Sequence, residues 1–149
     1  MQDFAFSLIY RLRRICLTPR GMRLCNPFNL RKTQIDWKGE VEGIDPDYET
    51  FKDFASGLRA GFRVLLTYFH KHHLNSVAEI ISRFAPPPEN NTAGYVQFVA
   101  RRLAVDVQDH LTTDDNTLLN LAKAIITFEQ GQQIFTDKEL QEALNAARK

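Results

Sequence analysis

A carboxylate at the end of an apolar helical stripe is the group in this sequence best suited to proton transfer. At ~100° per residue, Leu118, Ala122 and Ile125 lie within about 40° of Glu129 on one helix face. Such a carboxylate is poorly solvated, which disfavours its charged form and raises its pKa, as a general acid near neutral pH requires. Gly131 ends the helix just beyond it, where a cleft could open. The bland alternative puts Glu129 one turn off the core, in water. A second cluster gathers Asp36, Glu40, Glu42, Asp45 and Asp47 around Trp37. Glycoside hydrolysis generally sets a second carboxylate across the scissile bond from the acid, and an indole face packs well on a sugar. Glu40 and Glu42 are the candidates for that second carboxylate, although acidic loops are more commonly just solvated. A third cluster follows Pro86-Pro87-Pro88, where Glu89, Asn90, Thr92 and Tyr95 crowd a helix start. Side-chain amides and free backbone N–H groups there suit a polar ligand; equally, they suit a well-capped helix with Asn91 or Thr92 as its cap.

Other chemistries find no support. Side chains in the run His70-Lys71-His72-His73 diverge on a helix end with no acidic or cysteine neighbour, so the run reads as a positively polarised last turn and not as a metal site. Neither a glycine-rich phosphate loop nor a nucleophile elbow occurs, and no cofactor is implied. Cys16 and Cys25 stand nine residues apart without metal-ligand spacing, and read as thiols in preference to a local disulfide.

The elements that must position these groups are helical. Stripes of apolar residues predict helices over 57–69, capped by Ser56, and over 76–84, closed by the proline run. Further helices are expected over 92–104, over 115–130 with Gly131 as a left-handed stop, and from a capping box at Thr136 and Glu139 to the C-terminus. Phe62, Leu66, Ile81, Val99 and Ile125 should share one core. Residues 26–50 are punctuated by Asn-Pro, Lys-Gly, Glu-Gly and Asp-Pro steps, which predict a loop or small β-hairpin. The expected fold is therefore mainly α, α+β at most: one helical domain over 20–149, with an insert near its start.

The chain has 149 residues, 44% of them hydrophobic, which is material for one core. No apolar run approaches the ~18 residues that a membrane span needs, and the N-terminus makes a poor signal peptide. The net charge of +1 hides an asymmetry: residues 1–35 carry seven basic groups against Asp3 alone. Residues 1–19 read as a basic docking arm, with a short amphipathic helix over 4–16 closed by Thr18-Pro19-Arg20-Gly21. Such an arm can touch nucleic acid, an anionic membrane face or an acidic partner; a solubilising or docking extension is favoured over nucleic-acid binding, because no aromatic ladder accompanies the arginines.

From Arg20 onward the residues resemble a known family. Arg20-Gly21-Met22-Arg23-Leu24-Cys25-Asn26-Pro27-Phe28-Asn29-Leu30-Arg31 is similar to the opening of small phage virion proteins, usually described only as structural. The likeness continues in order through Trp37-Lys38-Gly39, Gly57-Leu58-Arg59-Ala60, Ile80 to Pro87, Glu89-Asn90-Asn91-Thr92 and Tyr95, to Glu129-Gln130-Gly131. The same opening also resembles a segment of bacterial glucosaminidase-type, lysozyme-like enzymes, in which a catalytic Glu ends a nearby helix. Here the comparable Glu129 stands at the far end of the domain, so the resemblance implies a circularly permuted lysozyme-like fold. It further implies that Asn26, Asn29, Arg31, Trp37, Glu89, Asn90, Thr92 and Tyr95 bind substrate beside Glu129.

Two readings follow from the resemblance. One is a virion-associated, peptidoglycan-cleaving muramidase or lytic transglycosylase, made in the host cytoplasm and acting at the host envelope. The other is a non-enzymatic minor structural or ejected component that keeps only the fold and docks on other virion proteins through the basic arm. The family's glycine between Pro and Asn is Phe28 here. A cleft reaching Glu129 favours the enzyme; Phe28 plugging that cleft favours the structural protein.

Overall fold

The computed structural model describes residues 18–149. The expected arm helix over 4–16 and Cys16 lie outside them. The described chain is mainly helical: α1 (Arg20–Arg23), α2 (Phe54–His70), α3 (Val77–Phe84), α4 (Thr92–Leu103), α5 (Asp115–Gln130) and α6 (Asp137–Arg148).

Helix boundaries follow local chemistry. Ser76, Asn91, Asp114 and Thr136 each accept a hydrogen bond from a first-turn backbone N–H, and Thr136 with Glu139 closes a full capping box. Gly131 ends α5 with φ +81°, as expected. One boundary differs from expectation. α2 starts three residues before 57, because Asp53 and not Ser56 is the cap: the Asp53 side chain accepts from the Ser56 N–H at 2.8 Å. Pro19 stands at the N-cap of α1, ahead of the intrahelical ladder, so its missing N–H leaves no helical bond unmade.

α5 is the central strut. It packs on α4, α6, α2 and α1, and its Leu118, Leu121, Ala122, Ile125 and Ile126 are fully buried. α2 lies most extensively against α6, and α3 against α4. Phe62, Leu66, Ile81, Val99 and Ile125 are all buried in the one core.

Between α1 and α2 the chain folds back on itself without forming a strand. Two isolated antiparallel bridges, Arg31 with Tyr48 and Glu40 with Phe51, hold it. The Asn26 side chain takes the place of a longer ladder. Its Nδ2 donates to the Leu30 and Glu49 carbonyls (2.9 and 3.0 Å), and its Oδ1 accepts from the Leu30 N–H (2.9 Å). A buried amide that satisfies three backbone groups fixes the loop's path without a sheet.

Candidate functional site

Where the insert meets the helices, a groove of about 500 Å3 opens. One wall is the insert, from Asn29 to Trp37 with Tyr48; the other is the C-terminal half of α2 and the end of α3, running on to Asn90. Glu129, half-buried in the last turn of α5, reaches this groove.

The carboxylate is held by an amide relay. Gln130, itself buried, donates from Nε2 to the Pro27 carbonyl (2.9 Å) and to Asn29 Oδ1 (3.1 Å). With its oxygen thus engaged, Asn29 must present its NH2 group elsewhere, and Nδ2 donates to Glu129 Oε1 at 2.9 Å. Asn29 has φ 51°, a left-handed conformation that Asn tolerates better than most residues and that turns its side chain toward α5. Gly21 of α1 permits this approach, since a Cβ there would collide with Asn29 Oδ1 and Gln130 Nε2.

Behind Glu129 lies an aromatic stack. Tyr95 is buried, stacks on Phe128 with centroids 3.7 Å apart, and meets Phe84 edge-on at 6.5 Å. Its hydroxyl makes no hydrogen bond of full geometry, yet it lies close to the Glu129 carboxylate. Burial first, then the charge and contact of Glu129, push the Tyr95 phenol far above its usual range. Tyr95 is therefore a neutral hydroxyl at any working pH, able to donate to that carboxylate.

Of the residues expected to bind substrate, Asn29, Arg31, Trp37, Glu89 and Asn90 line the groove together with Glu129. The Trp37 Nε1 is buried without a hydrogen-bond partner. Arg31 and Glu89 form an ion pair at 3.1 Å that joins the insert to the turn after α3. The other expected contacts lie elsewhere. Asn26 is wholly buried in the insert, and Tyr95 sits beneath Glu129. Thr92 donates from Oγ1 to the Ala85 carbonyl at 2.6 Å, tying down the proline turn.

Glu40 and Glu42 line a separate depression on the insert, with Asp36 and Glu49. The Glu40 carboxylate accepts from the Trp37 backbone N–H (3.1 Å). Among the described residues, the carboxylates that line the groove are Glu89 and Glu129. Sequence reasoning passed over Tyr48, Tyr68 and Arg83, which also line it, and Gln130, which orients Asn29.

Phe28 does not plug the groove. Its ring points into the core, edge-on to Phe62 at 6.1 Å and against the backbone of Gly61, where a Cβ would strike it. Left-handed backbone falls on its neighbours Cys25 and Asn29 and not on Phe28 itself. A phenyl ring is accordingly accommodated at this position by the core. Among the described residues no cluster of His, Cys, Asp and Glu could hold a metal ion, and no helix is long and apolar enough to cross a membrane.

Comparison with known proteins gives one match across most of the chain. Over 125 residues, 81% of this chain and 77% of the relative, it is 38% identical to Protein P5 of Pseudoalteromonas phage PM2. No family model matches the chain.

Proposed function

The chain belongs to the family of the phage Protein P5, and from that premise we propose a virion-associated glycosidase that cuts peptidoglycan glycan strands, with Glu129 as its acid. Membership of a phage protein family supports association with other virion proteins and, through them, a place in the particle. The catalytic part of the reading rests on one observation: an oriented carboxylate at the end of a central helix reaches a groove of about 500 Å3 walled by aromatic and amide side chains.

In this reading a glycan strand lies between the insert and the α2–α3 wall, with Trp37 against a sugar face. Glu129 gives its proton to the glycosidic oxygen as the C1–O bond breaks, and the oxocarbenium-like sugar forms next to the resulting carboxylate. Asn29 Nδ2 and the Tyr95 hydroxyl are the donors placed to stabilise that negative charge. An inverting or retaining hydrolase needs a second carboxylate across the bond. The groove's other described carboxylate, Glu89, is engaged by Arg31, and Glu40 and Glu42 open onto another face. That arrangement favours a lytic transglycosylase, in which the sugar's own hydroxyl attacks C1 and returns its proton to Glu129.

Purified peptidoglycan incubated with the protein tests this directly. Clearing of turbidity with anhydro-muropeptides in the mass spectrum is the expected result. Clearing with reducing ends instead would indicate a hydrolase. Protein that folds and never cleaves leaves the non-enzymatic structural component as the function.

A further inference from the structure

The groove contains two arginines in different states. Arg31 is neutralised by Glu89 at 3.1 Å. Arg83, in the last turn of α3, lines the same groove and has no carboxylate partner among the described residues; its guanidinium lies over the Tyr68 ring, 6.0 Å from the centroid. Tyr68 also lines the groove and is partly buried, so the exposed guanidinium of Arg83 has an aromatic face beside it. An Arg placed this way keeps its N–H edges free for a planar anion, and a carboxylate is the group that matches them in a bidentate manner. A neutral polysaccharide such as chitin gives it nothing to pair with, whereas peptidoglycan carries carboxylates on its lactyl ethers and stem peptides.

We infer that Arg83, beside Tyr68, is a specificity-determining residue that binds a substrate carboxylate and restricts the groove to anionic glycans. This deepens the glycosidase reading and rests on it. Direct binding separates the two, measured with the full chain carrying Glu129→Gln so that no turnover intervenes. The probes are chitotetraose, a peptide-free GlcNAc–MurNAc tetrasaccharide, and the same tetrasaccharide bearing its stem peptides. The anionic glycans should bind about tenfold more tightly than chitotetraose, a gap that shrinks as salt is raised. Arg83→Gln should bring the three within about twofold, and Arg83→Lys should recover part of the gap. An effect in the peptide-free arm places the carboxylate on the sugar; an effect confined to the peptide-bearing arm places it on the stem peptide. Equal binding of neutral and anionic glycans, or a preference untouched by Arg83→Gln, would overturn the inference while leaving the glycosidase standing. Failure to bind any of the three would contradict both.

Discussion

Asn29 shows how one side chain reports on the site. Its amide oxygen is fixed by Gln130, its amide nitrogen by Glu129, and its backbone sits at φ 51°. Two substitutions separate these roles. Asn29→Gly keeps the left-handed backbone at little cost and removes the amide. Asn29→Ala also forces a Cβ into that conformation, at about 1–2 kcal/mol. Asn29→Gly should therefore melt near wild type yet lose much of its kcat with a smaller change in KM, because the relay acts on the acid and not on sugar affinity. Wild-type kcat in Asn29→Gly would show that the relay is only structural. Glu129 was legible because its helix is long and strongly periodic, and the structure does bring it to a cleft. Asn29 was legible only through family resemblance. Gln130 and Arg83 were not: neither an amide beside an acid nor an arginine near a helix end has a pattern of its own, and only the folded insert gives them partners.

At the scale of elements, helix ends set the reach of Glu129. Gly131 stops α5 at φ +81° with open space around it, so Gly131→Ala meets no clash and pays only for the left-handed backbone, about 1–2 kcal/mol. Gly131→Asn should recover part of that loss. Asp53→Ala should cost about 1 kcal/mol as α2 loses its cap, and chemical denaturation read by far-UV circular dichroism measures all three. A neutral Asp53→Ala would mean that Ser56 caps the helix instead. The helices were legible from stripes and breakers, since Gly131, the proline run and the Thr136 capping box act locally. The start of α2 was displaced because Asp53 and Ser56 are both good caps three residues apart, and sequence alone does not rank them. The insert's path was not legible: the buried Asn26 that organises it resembles any other turn asparagine.

For the molecule as a whole, the insert is one wall of the groove, and it is held partly by a buried acid. Glu49 is 1% exposed and accepts the Thr33 backbone N–H at 2.9 Å. Burial, then its contact with Glu40, raises its pKa, and the Thr33 bond opposes them only in part. The folded chain thus holds this proton more tightly than the unfolded chain does. That contribution to stability is fully present below the ordinary glutamate value of about 4.3 and is lost as pH rises through the raised one. Urea denaturation of wild type and Glu49→Gln from about pH 4 to pH 8 should show wild type losing ground to the variant as pH rises. Parallel curves would mean that Glu49 ionises in place without cost. The single core and mainly helical architecture were legible from periodicity, whereas the groove exists only because a turn-rich segment packs across helix ends far from it in sequence.

Glu129→Gln tests the central claim most directly. The substitution keeps the shape of the side chain and an oxygen for Asn29 Nδ2, but removes the transferable proton. Wild type and variant, matched for circular dichroism and melting temperature, are compared for release of soluble muropeptides from purified peptidoglycan. The account predicts release by wild type and a loss of at least about a hundredfold in the variant. Equal release by both proteins would contradict it.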